Sequence, residues 1–246
     1  MKRFNWQILL GLLLIALSAF FYLIHYAIFR DAHHIFIYMI GDVGFVPIEV
    51  LLVTLIIHQL LSARDKRSML KKLNMVIGAF YSEVGTRLLE SFSEFDKHPD
   101  TIREYLIMDK DWSSKKFSHA AKQIKKYDYS VDIKKGNLEE LQRFLVGKRN
   151  FLLGLLENPN LLEHESFTEL LWAVFHLTEE LSYRNDVNRL PHTDYQHLSG
   201  DIRRAYVLLL SQWMVYMKHL ETDYPYLFSL SLRTNPFDPN ATPEVQ

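Results

Sequence analysis

Ile8-Leu9-Leu10-Gly11-Leu12-Leu13-Leu14-Ile15-Ala16-Leu17 is the centre of a stretch of 26 residues, Phe4 to Phe29, that contains no Asp, Glu, Lys or Arg. A helix needs about 20 such residues to cross the roughly 30 Å of hydrocarbon in a bilayer. Trp6 stands near one end and Tyr22 and Tyr26 near the other, where amphipathic rings favour the membrane–water interface. A cleaved signal peptide has a shorter apolar region ending in small residues. Here the run continues into Phe20-Phe21-Tyr22-Leu23, so the sequence predicts an uncleaved anchor.

A second apolar segment follows between Ile35 and Leu61, most apolar at Val50-Leu51-Leu52-Val53-Thr54-Leu55-Ile56-Ile57. The short link Arg30-Asp31-Ala32-His33-His34 makes the two segments a helical hairpin. The expected spans are about 4–29 and 39–61. Lys2 and Arg3 precede the first span, and Arg64, Lys66, Arg67, Lys71 and Lys72 follow the second, whereas the link carries only Arg30 beside Asp31. Cytoplasmic flanks are enriched in Lys and Arg, so both termini and everything beyond the hairpin are expected on the cytoplasmic side of a plasma (inner) membrane.

The remainder has a different composition. Mean hydropathy over the chain is near zero, at −0.07, because an apolar beginning is averaged with a charged continuation. The net charge of −1 points to no polyanionic partner, and no basic–aromatic module suggests nucleic acid. The absence of cysteine excludes disulfides, thiolate nucleophiles and cysteine-based zinc or iron–sulfur sites. Only nine glycines and eight prolines argue against a loop-rich β fold. The expected class is therefore all-α: a transmembrane hairpin over 1–62, a cytoplasmic helical bundle over 63–237 and a disordered tail over 238–246.

Leu70, Leu73, Ile77, Phe80 and Val84 alternate in steps of three and four, a seam that continues the second span as a stalk to about Glu94. That seam either packs on its own domain or pairs with a second chain. His98-Pro99-Asp100 opens a short helix to about Met108, and another is expected from Ser113 to Tyr127. Cap patterns at Asn137-Leu138-Glu139-Glu140, Ser166-Phe167-Thr168-Glu169 and Thr193-Asp194-Tyr195-Gln196 place longer helices at about 138–157, 167–184 and 194–222. Tyr226 to Leu232 is too apolar for a free tail and is expected to pack on the bundle or meet a partner.

Three groups of residues carry chemistry. Asp42 and Glu49, seven apart, share one face of the second span among Gly41, Gly44 and Pro47. Glu49 lies about 10 Å deeper by helical rise, and an intramembrane carboxylate is costly enough to suggest an ion or proton path through an oligomer. Lys115, Lys116, Lys122, Lys125 and Lys126 form the one basic cluster, suited to anionic lipid headgroups, although Asp109, Asp111, Asp128 and Asp132 interrupt it. His176 and Glu180 form an i,i+4 pair, as do His197 and Asp201, and an antiparallel hairpin brings all four to one height. Two imidazoles and two carboxylates suit Zn, Fe or Mn. A wheel at about 100° per residue, however, turns all four away from the apolar stripes of their helices, which describes a polar surface patch.

No nucleotide loop, Gly-x-Ser-x-Gly or His-Glu-x-x-His pattern occurs. The sequence reading is a membrane-anchored, non-enzymatic interaction, scaffold or regulatory module, in contact with the lipid bilayer and forming a homo-oligomer or meeting other membrane proteins. No cofactor is expected, and a divalent metal enters only through the His/carboxylate set. A channel subunit using Glu49 and a metal-dependent enzyme using that set are the alternatives.

Overall fold

In the computed structural model the charge-free run forms α1 (Lys2–Phe29) and the second apolar segment opens α2 (Ala32–Phe80). Residues 2–159, 161 and 164–245 are described, with side chains left aside at 2–5, 7 and 65–72. The flanking cations Lys2, Arg3, Lys66, Arg67, Lys71 and Lys72 and the seam residue Leu70 have side chains outside that set.

The two helices meet at an abrupt reversal. Arg30 takes a left-handed backbone conformation (φ 52°), rare for a residue with a Cβ, and Asp31 Oδ1 accepts the His33 and His34 amides at 2.9 and 3.2 Å. His25 and His34 then stack across the hairpin with ring centres 5.7 Å apart. By length and composition both helices are sufficient to cross a membrane, over Ile8–Phe29 and Ala32–Arg64, and neither window has a buried share. Helix α2 passes Pro47 without interruption.

The chain divides into two compact units, Met1–Lys66 and Arg67–Gln246. Within the second, α2 leads into a π turn (Tyr81–Gly85) and then α3 (Thr86–Phe95), so helix continues to the end of the expected stalk. The seam faces its own domain: Leu73, Ile77, Phe80 and Val84 are buried in the core with Leu88, Leu89 and Phe92. Intradomain packing therefore replaces the chain-to-chain coiled coil that the spacing also allowed. The π turn has a steric counterpart: a Cβ on Gly85 would lie 2.5 Å from Tyr81 Cδ1.

The helix opened by Pro99 is shorter than expected. It forms α4 (Pro99–Arg103), after which the chain turns, and Asn235 Nδ2 donates to the Leu106 carbonyl at 2.8 Å. Then come α5 (Ser114–Lys126), α6 (Leu138–Leu156), α7 (Glu165–Ser182), α8 (His192–Asp223) and α9 (Pro225–Arg233). Asn137 caps α6 with its side chain, as the sequence suggested, and Ser113, expected as the first residue of its helix, caps α5 instead. Helix α7 begins earlier than the Ser166 pattern indicated because His164 Nδ1 accepts the Phe167 amide at 3.2 Å. Helix α8 begins at His192, two residues before the expected start, with Pro191 at the cap position and no side-chain cap.

The core of this unit is made by wide apolar faces. Leu170, Leu171, Val174, Leu177 and Leu181 from α7 meet Leu198, Ile202, Ala205, Leu209 and Met217 from α8. Tyr206 is fully buried against Phe92 and Tyr129. The Tyr226–Leu232 segment is the body of α9, which buries Phe228 and leaves Tyr226, Leu227 and Leu230 exposed. Beyond α9, Asp238 Oδ1 accepts the Asn240 amide at 2.9 Å in a turn, and Phe237 is buried against Trp213. Among the described residues there is no strand, only an isolated bridge between Asp96 and Val131.

Candidate functional site

Helices α7 and α8 pack side by side and antiparallel, and their apolar faces account for only part of the seam. Along one flank runs a ladder of polar side chains. Arg184, at the end of α7, holds Asp194 near the start of α8 through two hydrogen bonds of 2.9 and 2.6 Å. One turn further into both helices, Arg184 Nη1 also reaches Glu180 Oε2 at 2.8 Å. Glu180 faces His197 across the seam, and one turn beyond that His176 faces Asp201.

The four residues singled out in the sequence therefore come together. His176 Nε2 lies 3.5 Å from Asp201 Oδ2 and 3.9 Å from Glu180 Oε1. His197 Nε2 lies 3.3 Å from Asp201 Oδ2 and 3.6 Å from Glu180 Oε2. One donor atom from each of His176, Glu180 and His197 fits within 4.8 Å of the others. The wheel reading fails for one member: Asp201 is only 3% exposed, whereas His176 and His197 are 44% and 51% exposed. The reason is geometric. The wheel measures an angle from the core stripe, but the flank of a stripe is covered by the neighbouring helix when the two lie close.

Asp201 turns one oxygen toward an arginine and the other toward the imidazoles, whereas Glu180 Oε2 serves both Arg184 and His197 and Oε1 faces His176. Glu180 uses Oε2 on Arg184, and Asp201 Oδ1 lies 3.4 Å from Arg204 Nη2. Asp201 Oδ2 is buried and has no hydrogen-bond partner among the described residues. Hydrogen bonding from Arg184 holds the Glu180 and Asp194 carboxyls below the usual carboxylate range, and the Asp194 bond pushes Arg184 up. These arginines were not identified as part of the constellation from sequence. Their signal was present in spacing: Arg184 stands four residues after Glu180, and Arg204 three after Asp201.

The other sequence candidates are placed differently. Asp42 and Glu49 lie on α2, exposed, and neither makes a hydrogen bond or ion pair among the described residues. Lys115, Lys116, Lys122, Lys125 and Lys126 all project from α5, whose inward residues are Phe117, Ala120 and Ile124. Lys116 pairs with Asp109 at 3.2 Å, so acidic neighbours do interrupt the patch. A further feature was not foreseen: an apolar groove of about 810 Å³ lined by Met75, Trp213, Tyr216, Tyr226, Leu227 and Leu230, among others. At its edge His219 Nδ1 lies 2.8 Å from Asp223 Oδ2.

Comparison with known proteins gives the following relations. Residues 69–233 match the family described as "Uncharacterized protein MJ1433, C-terminal helical domain", and residues 2–61 match "MJ1433, N-terminal helical domain". The curated protein of that name from Methanocaldococcus jannaschii is 47% identical over 234 residues, covering 95% of this chain and 94% of its own. No solved structure matches.

Proposed function

We propose that this chain, which belongs to the MJ1433 family, is anchored in a membrane by its N-terminal hairpin and acts through its helical domain as a non-enzymatic protein-interaction or scaffold module. The observation that carries the reading is the contrast in burial. The windows Ile8–Phe29 and Ala32–Arg64 have no buried share, while the domain beyond them closes a full core of its own. Exposed apolar surface costs about 25 cal/mol per Å² in water, and hydrocarbon removes that cost along the whole length of such helices. The sparse charge of the link, Arg30 beside Asp31, supports a reading in which the link is outside the cell and both termini are in the cytoplasm of a plasma (inner) membrane.

The interaction part of the reading is supported by the groove lined by Tyr216, Tyr226, Leu227 and Leu230, an apolar surface of the kind that binding partners cover. We assign it to a second copy or to another membrane protein, with lipid as the constant partner.

The chain has no cysteine, so a single one can be introduced at Ala32 in the link or at Ser118 on α5, both exposed. A membrane-impermeant maleimide applied to intact cells should label Ala32→Cys and reach Ser118→Cys only after lysis. The protein should stay with carbonate-washed membranes, and light scattering in detergent should give more than one chain per particle. A chain recovered in the soluble fraction overturns the anchor, reversed labelling overturns the orientation, and a monodisperse monomer overturns the oligomer.

A further inference from the structure

We propose that His176, His197, Asp201 and Glu180 form a four-ligand site for a divalent first-row transition metal that clips α7 to α8. This goes beyond the membrane-module reading and stands whether or not that reading holds, because all four residues belong to the Arg67–Gln246 unit.

The first argument is the spacing of the donors. Charge-assisted N–H···O bonds between an imidazolium and a carboxylate are typically about 2.7–2.9 Å long. The arginine bonds on the same ladder meet that standard, at 2.6, 2.8 and 2.9 Å. The four imidazole–carboxylate separations do not: they are 3.3, 3.5, 3.6 and 3.9 Å. Side chains that bonded one another would have closed these gaps. Four donors at about 2.0–2.2 Å from a tetrahedral metal stand roughly 3.3–3.6 Å apart, which follows from the bond lengths alone. The distances from Asp201 Oδ2 to both imidazoles and from Glu180 Oε2 to His197 fall in that interval, while Glu180 meets His176 with its other oxygen, Oε1, at 3.9 Å. Donor atoms of His176, Glu180 and His197 lie within 4.8 Å of one another, and Asp201 Oδ2 stands beside both imidazoles.

The second argument is Asp201. A carboxylate 3% exposed with an oxygen that accepts no hydrogen bond carries a desolvation cost unless a cation meets it. That oxygen, Oδ2, is the one nearest both imidazole Nε2 atoms.

The third is the outer layer. Ligand carboxylates in metal sites are oriented by hydrogen bonds to their other oxygen. Arg184 bonds Glu180 Oε2, leaving Oε1 as the oxygen free for a metal, and is itself fixed by Asp194, and Arg204 flanks Asp201 Oδ1.

The donor set selects the metal class. Two imidazoles favour zinc, iron, cobalt or nickel, whereas magnesium and calcium prefer oxygen alone. Four protein ligands fill a tetrahedron, as structural sites do, and leave no position for a substrate. The role is therefore stabilisation of the α7–α8 hairpin, and the half-exposed imidazoles allow the ion to enter and leave from solvent.

The test uses the full chain in detergent, purified without a polyhistidine tag and stripped with EDTA. Cobalt(II) is the probe. One equivalent should give the visible absorption of four-coordinate cobalt, and one equivalent of zinc(II) should bleach it. Zinc should also raise the melting temperature, by about 4 °C or more if it binds at a hundred times its Kd. Magnesium in large excess should not displace cobalt. Both histidines are partly exposed, so His176→Ala/His197→Ala should keep its helical circular dichroism and lose cobalt binding by at least about 100-fold, while Arg184→Gln should weaken it about tenfold or more through Glu180. Absence of cobalt absorption, an unchanged signal in the double variant, or displacement by magnesium overturns the proposal.

Discussion

Helices α1 and α8 are the same kind of object by length, 28 and 32 residues, and both are rich in leucine, yet they answer to different surroundings. In α1 the apolar residues go all the way round and stand exposed on every side. In α8 most are gathered on one face, where Leu198, Ile202, Leu209 and Met217 are wholly buried, and the outer side is largely polar, with Val215 exposed among it. A leucine in α8 is held by neighbours of fixed shape. A leucine in α1 is held only by whatever surrounds the helix. The same residue type should therefore be irreplaceable in one region and nearly interchangeable in the other.

The largest test of that difference is truncation. Leu209→Ala should cost about 2–5 kcal/mol, because the buried site can collapse only in part. Leu13→Ala in α1, which is 61% exposed, should fall within about 0.5 kcal/mol of the parent. Melting of the two variants in detergent, followed by circular dichroism, reads the contrast. Equal losses would mean that α1 is enclosed by protein.

A smaller effect sharpens the same comparison with a single methyl group. A Cβ added at Gly85 meets Tyr81 Cδ1 at 2.5 Å, and Tyr81 is pinned by its hydroxyl on the Leu209 carbonyl at 3.0 Å and by a stack on Tyr216. Gly85→Ala should cost about 1–3 kcal/mol through overpacking. At Gly11 nothing lies within 4 Å of such an atom, so Gly11→Ala should be neutral or slightly favourable by helix propensity. Parity between the two glycine variants in thermal melting breaks the contrast at this level.

The smallest effect concerns charge. Arg184 lowers the Asp194 carboxyl in the folded chain, so its contribution to stability is present above the ordinary carboxylate value, near pH 4, and is lost as pH falls through the lower folded value. In metal-free protein Asp194→Asn should flatten that acid limb of the stability curve, by about 1 kcal/mol for a pair whose side chains are 14% and 26% exposed. An unaltered acid limb would show that Arg184 contributes nothing through this partner.

What could be read from the residues alone divides along the same line. The hairpin was legible because a charge-free run is a property of composition and needs no partner. The α6 start was legible because the Asn137 side chain bonds its own helix at the Glu140 amide, 3.0 Å away. The Thr193 pattern misplaced a boundary by two residues because the chain enters α8 from Pro191, whose fixed φ suits a helix entry without any side-chain cap. The His/carboxylate set was legible as a register, since facing positions in an antiparallel pair follow from chain direction. Its depth was not, because the burial of Asp201 comes from α7 lying over it, and no wheel drawn for α8 alone contains that helix. The separations of 3.3 to 3.9 Å between these imidazoles and carboxylates are likewise a matter of tertiary placement.

The π turn at Tyr81–Gly85 has a further consequence for how this chain tolerates change in length. It accommodates one more residue than an α turn, and each residue advances an α-helix by about 100°. Removing Ser82 and closing the turn to α geometry would swing everything downstream by that angle, carrying Leu88, Leu89 and Phe92 out of the interior together. The bulge thus acts as a phase setter: it fixes which side of α3 looks inward, and one-residue deletions there are read as rotations rather than as losses of a single side chain.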